Sequence, residues 1–133
     1  MEITLTLPYP PSVNNYKKLG RLVKTKSGKT YQQRLNSEET KTFYYQVYML
    51  SKMQVPSEWG KFASSGTISY DLRVTVSPPD KKRRDIDNIL KVLLDSLVRA
   101  HIINDDSQIH RLYVEKLDTM DGQVTVIIGE HAK

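Results

Sequence analysis

At 133 residues, with 38% apolar and 26% charged residues, the chain has the size and composition of one soluble domain around one core, which argues against a disordered segment. A formal charge of +5 favours a polyanionic partner, nucleic acid ahead of an anionic membrane surface. The lack of cysteine excludes disulfides, thiolate zinc sites and a cysteine nucleophile, and His101, His110 and His131 show no metal-ligand spacing, so a metal here would be held by oxygen. No apolar run reaches the roughly 18 residues of a membrane span, and MEITLTLPYPP carries no signal-peptide pattern, so a cytoplasmic location and no membrane partner are expected.

Ile3, Leu5 and Leu7 alternate with polar residues, the period of a half-buried strand, which Pro8 ends. Ser12, Asn14 and Asn15 are turn residues. Lys17, Lys18, Arg21, Lys24, Lys26, Lys29 and Arg34 then follow without an acid, which predicts a mobile basic arm or long loop over about residues 16–35. It could lie along phosphates, with Tyr16 or Tyr31 available to stack on bases. Asn36 with Glu39 three residues on signals a helix start, and Phe43, Val47 and Leu50 continue at helical spacing to a stop before Pro56. Residues 57–66, with Trp59 and Phe62 among Gly and Ser, read as an ordered loop.

Ile68, Tyr70, Leu72, Val74 and Val76 give the cleanest alternation in the chain, and Pro78 and Pro79 close that strand. An amphipathic helix is expected from Ile86 through Ile89, Leu90, Leu93 and Leu97 to Ile102. Asn104, Asp105, Asp106 and Ser107 break it. A strand carrying Ile109, Leu112 and Val114 follows, expected to pair with Val124 to Ile128 across a turn at Asp121 and Gly122. The order is β-α-β-α-β-β.

The densest chemistry lies between the second strand and second helix, where Lys81, Lys82, Arg83 and Arg84 run into Asp85 and Asp87. Asp106 joins them only if the sheet sets the start of the 109–114 strand beside the end of the 68–76 strand. Carboxylates gathered at about 5 Å repel by about 3 kcal/mol at an effective dielectric of 20, so a cation would be needed. An all-oxygen set favours magnesium or manganese. Lys91, one turn after Asp87, could stabilise charge on a reacting phosphate, while the four preceding cations hold its neighbours. The structural alternative is that Asp85 or Asp87 caps the helix, Lys91 pairs with Asp87 and Asp95, and Asp105 or Asp106 caps a turn. On that reading the protein is a non-catalytic branched-DNA-binding or architectural module.

PYPPSVNNY, from Pro8 to Tyr16, and PDKKRRDIDNILKVLLDSL with NDDSQI resemble the RusA family of Holliday-junction resolvases. The second block is the specific one, because it combines a basic run, DxDN, a lysine four residues after the second aspartate, and a DD pair before a strand. The resemblance implies a single small α+β domain over residues 1–133, with a mixed sheet and two main helices, acting as a homodimer. It also implies magnesium-dependent cleavage of four-way DNA junctions by paired symmetric nicks, with no organic cofactor. By position it puts the metal-binding aspartates at Asp85, Asp87 and Asp106, the second of the DD pair, and the catalytic lysine at Lys91. Arg84 would contact phosphate and Asn88 would support the helix start. Two symmetric cuts from chains with one carboxylate cluster each also require a two-fold dimer.

Overall fold

The computed structural model describes residues 1–12, 17–24, 26–64 and 67–132, with side chains given outside 17–23 and 30–36. Among the described residues six strands and three helices run in the order β1 (Glu2–Pro8), β2 (Lys17–Lys24), β3 (Thr30–Asn36), α1 (Glu38–Gln54), α2 (Ser57–Ser64), β4 (Tyr70–Ser77), α3 (Leu90–Arg99), β5 (Ile109–Lys116) and β6 (Gln123–Glu130). Short 3-10 turns precede α3 (Ile86–Ile89) and β5 (Asp106–Gln108). The α+β class and mixed sheet agree with the sequence. The element order is richer than expected, by the β2/β3 hairpin and by α2.

Four strands make the main sheet in the order β1-β6-β4-β5, with β6 antiparallel to both its neighbours and β5 parallel to β4. Alternation decides which face is buried. Ile3, Leu5 and Leu7 of β1 line up with Ile128, Val126 and Val124 of β6, and these with Leu72, Val74 and Val76 of β4. All nine are essentially excluded from solvent and pack with Phe43 and Val47 of α1 and with Val92, Leu93 and Leu97 of α3. Ser37 starts α1, its hydroxyl accepting from the Thr40 N–H at 3.1 Å, one residue beyond the expected Asn36. α3 stops earlier than expected, because His101 adopts a left-handed conformation (φ 60°) at its end.

Three sequence expectations are corrected. The segment expected to be an ordered loop forms α2, whose Trp59 is buried against Tyr70, with ring centroids 5.7 Å apart, and donates from Nε1 to the Ile102 carbonyl at 2.9 Å. The basic arm is a two-stranded hairpin, β2 against β3, with a register shift between Leu19 and Leu22. The side chains of Lys17, Lys18, Arg21 and Tyr31 lie outside those described, as do Asn14, Asn15 and Tyr16 altogether. The hairpin expected between β5 and β6 does not form, because β4 lies between them. Residues 117–122 instead cross the end of β4: Leu117 N–H donates to the Val76 carbonyl at 2.8 Å, and Ser77 binds Thr119 and Asp121 side chains. No helix among the described residues is long and apolar enough to cross a membrane.

Candidate active site

The 78–89 connection leaves β4 at its carboxyl end and is braced by Arg84. Its guanidinium takes both oxygens of Asp80, Nη2 to Oδ2 at 3.1 Å, and lies over the Tyr9 ring at 5.6 Å from the centroid. The Arg84 hydrogen bonds, and then the Lys82 N–H, lower the Asp80 pKa from 3.8 to about 2. A carboxyl depressed in the folded state stabilises the fold above its ordinary value and loses that contribution as pH falls, here from 3.8 towards about 2, so the brace is intact at neutral pH. Burial pushes the Tyr9 phenol up; Arg84 offsets part of that and Asp80 adds slightly to it, so the ring stays neutral. Lys116 Nζ donates to the Arg84 carbonyl at 3.2 Å, tying the end of β5 to this loop.

That brace changes the roles of the basic run. Lys81, Lys82 and Arg83 are exposed, whereas Arg84 is half-buried and committed to Asp80. Sequence reasoning missed this partner, although the i, i+4 spacing of Asp80 and Arg84 was its signal.

Immediately after the brace, Asp85 and Asp87 flank Ile86 at the start of the 3-10 turn, both exposed. The Asp85 side chain makes no capping hydrogen bond, and among the described residues neither carboxylate has a hydrogen-bonding or ionic partner. Lys91, exposed in the first turn of α3, reaches Asp95 at 3.3 Å and not Asp87. Solvent-exposed i, i+4 pairs contribute only about 0.3–0.5 kcal/mol, so Lys91 is readily released. The capping role offered by the structural alternative is not what holds Asp85 here.

Asp106 is elsewhere. Because β5 runs parallel to β4, its start lies beside Tyr70 and its end beside Val76. Gln108 fixes that start, donating from Nε2 to the Ile68 carbonyl at 2.9 Å and accepting from the Asn104 and Asp105 N–H groups. Asp106 therefore sits at the amino end of the β4/β5 pair and Asp85 at the carboxyl end, separated by the length of β5, roughly 23 Å at about 3.3 Å per residue. The juxtaposition that would have brought three carboxylates together within one chain is corrected: among the described residues no group of three His, Asp or Glu side chains is gathered to hold a metal. Within the DD pair Asp105 is the member with a hydroxyl partner. Asp105 accepts from the Ser107 hydroxyl at 2.8 Å, and Ser107 first, then Asp106, holds its carboxyl below the usual range.

Two exposed carboxylates without a partner among the described residues, offering only oxygen donors, suit a hard divalent cation, since magnesium is commonly held by one or two carboxylates with water and substrate phosphate completing its shell.

The sequence matches the family model described as Endodeoxyribonuclease RusA over residues 8–129. Among curated relatives, a crossover junction endodeoxyribonuclease of Enterobacteria phage HK97 is 33% identical over 107 residues, 80% of this chain and 76% of the relative. Its counterpart in Enterobacteria phage 82 is 30% identical over 128 residues, 95% and 92% of the two chains. The counterpart in Escherichia coli K12 is 28% identical over 128 residues, 96% and 93% of the two chains.

Proposed function

Because the chain belongs to the RusA endodeoxyribonuclease family, we propose that it is a magnesium- or manganese-dependent nuclease that resolves four-way DNA junctions by paired symmetric nicks, working as a homodimer in the cytoplasm of a bacterial or phage-infected cell. The observation that carries this reading is the contrast among acids around the junction. Asp80 and Asp95 hold cations, whereas Asp85 and Asp87 are exposed and, among the described residues, without a partner.

In this mechanism Asp85 and Asp87 hold the cation at the carboxyl end of β4. A bound divalent ion supplies Lewis-acid polarisation of the scissile phosphate and acidification of water. Lys81, Lys82 and Arg83 hold the flanking phosphates, and their charge offsets the repulsion the aspartates would exert on DNA. Lys91 leaves Asp95 and places its ammonium on the oxygens where negative charge builds during displacement. Lys17, Lys18 and Arg21 of the hairpin would add positive charge for the phosphates of the junction arms.

The third carboxylate comes from the second chain. Among the described residues β5 pairs only with β4, and it carries exposed Leu112 and Tyr113. Two β5 edges pairing antiparallel about a two-fold axis near Arg111 and Leu112 set Asp106 of the partner subunit opposite Lys116 and Leu117. Lys116 is the residue bound to the Arg84 carbonyl, next to Asp85. Each dimer then has two complete clusters, one for each cut.

Mixing two inactive variants tests this arrangement. Asp85→Asn and Asp106→Asn are each expected to be inactive on a synthetic four-way junction in magnesium. Refolded together at equal amounts they form heterodimers with one intact cluster, so nicking should return at roughly a quarter of the wild-type site count, as single nicks. No recovery in the mixture would show that Asp106 acts within its own chain or not at all. Tight junction binding by the wild-type chain without a cut, in magnesium or manganese, would overturn the nuclease reading itself.

A further inference from the structure

Beside Asn88, the residue after Asp87, a cavity of about 450 Å³ opens between the start of α1 and the loops that leave β1 and β4. We propose that this cavity takes an unstacked nucleobase from the nucleotide next to the scissile phosphate, with Tyr9 as its stacking surface and Glu39 and Asn88 reading its edge. The proposal rests on the nuclease reading for where the phosphate sits, and on the cavity for what lies beside it.

Its lining mixes apolar and polar groups: Tyr9, Pro11, Pro79 and Ile89 supply the apolar part, and Ser12, Glu39, Arg84 and Asn88 the polar part. Its volume falls within the range of small-molecule sites, about 300–1,000 Å³, which accommodates a single base. Charge decides between a base and a phosphate. The cation on the wall, Arg84, is already neutralised by Asp80, while the Glu39 carboxylate in the first turn of α1 is exposed at the rim. A phosphate would meet net negative charge there, and a neutral ring would not.

Among the described residues, neither the Glu39 carboxylate nor the Asn88 side-chain amide has a hydrogen-bond or ionic partner. Together they offer two acceptor groups and one donor group to a base edge. A base at a branch point has already lost stacking on one side, so extruding it costs less than from a continuous duplex. Recognition of this kind makes the cut depend on which base stands at the branch point.

The experiment uses junctions that carry each of the four bases, or an abasic residue, at the nucleotide on either side of the branch-point phosphate. Affinity is measured with chelator and cleavage with magnesium, for the wild type, Tyr9→Leu and Glu39→Gln. The wild type should lose about tenfold in affinity or rate on the abasic junction, the scale of one base-aromatic stack, and Tyr9→Leu should be indifferent to the lesion. Glu39→Gln, an exposed substitution that leaves the fold intact, should change the order in which the four bases are preferred by several-fold. Equal abasic losses in wild type and Tyr9→Leu, together with an unchanged base order in Glu39→Gln, would overturn the proposal. If Tyr9→Leu fails to fold by circular dichroism, the base order of Glu39→Gln decides alone. If the wild type binds but never cuts, the nuclease reading fails, and the affinity arm still decides whether the cavity holds a base.

Discussion

The two edges of the main sheet are treated in opposite ways. At the β1 edge, α1 lies alongside, and Gln54 at its last turn accepts from the Thr6 N–H at 2.7 Å and donates to the Thr6 carbonyl at 2.9 Å, which uses the hydrogen-bonding groups an added strand would need. At the β5 edge no described side chain does this. Leu112, Tyr113 and, just beyond the strand, Leu117 and Met120 are more than a third exposed. An open edge with apolar side chains is an aggregation hazard, which proteins ordinarily blunt. Sealing one edge and leaving the other open fits an edge kept for a second copy of the chain. Asp106 lies at one end of the open edge and Asp85 near the other, where the proposed dimer would bring them together.

The largest effect should therefore come from closing the open edge. Leu112→Lys with Tyr113→Lys puts four extra positive charges across a two-fold contact, where like charges oppose one another. The variant is expected to sediment as a monomer with wild-type circular dichroism and to lose cutting by about a thousandfold, since each chain keeps Asp85 and Asp87 without a third carboxylate. Thr4→Lys, at an exposed position of the sealed β1 edge, is the control and should remain dimeric and active. A dimeric, active double variant would place the second copy on another surface.

Next in size is the comparison within the DD pair. Asp106→Asn should lose cutting by about a hundredfold or more while keeping or tightening junction binding, because it removes a charge that repels DNA. Asp105→Asn weakens the turn that Ser107 closes and should leave most activity, with a small drop in melting temperature. The reverse pattern in a junction-cleavage assay would assign the metal-facing role to Asp105.

Legibility from sequence followed burial. β1 and β4 were readable because one face of each is wholly buried, which forces strict alternation at Ile3, Leu5 and Leu7 and at Tyr70 to Val76. β5 was readable as a strand but not by its neighbour, since sequence adjacency and the Asp121-Gly122 turn favoured a hairpin with β6. The contrary signal was composition: Arg111, Glu115 and Lys116 suit an edge strand, whereas Val124, Val126 and Ile128 suit an interior one. α2 was hidden by Gly60 and its serines, although Trp59 and Ala63 stand four apart on its buried face. At the site, charge and spacing singled out Asp85, Asp87 and Lys91. Spacing could not say at which end of the sheet Asp106 would lie, because that depends on whether β4 and β5 run parallel.

The smallest effect tests the sealed edge. Gln54→Ala removes two exposed side-chain hydrogen bonds to Thr6, each worth at most about 1 kcal/mol net, and should lower the melting temperature by about 3–5 °C. Its more informative consequence is on assembly, because the substitution uncovers an N–H and a carbonyl on an edge strand that α1 otherwise flanks. If Gln54 is the seal, the sedimenting mass should grow beyond the dimer as concentration rises, while the cutting rate per folded dimer stays at the wild-type value. If mass stays fixed while the melting temperature falls, the bulk of α1 does the sealing and Gln54 only contributes stability. Either result leaves cutting intact, since β1 is separated from β5 by both β6 and β4. A loss of cutting in Gln54→Ala would mean that the two edges are coupled through the sheet, contrary to the division of roles drawn between them.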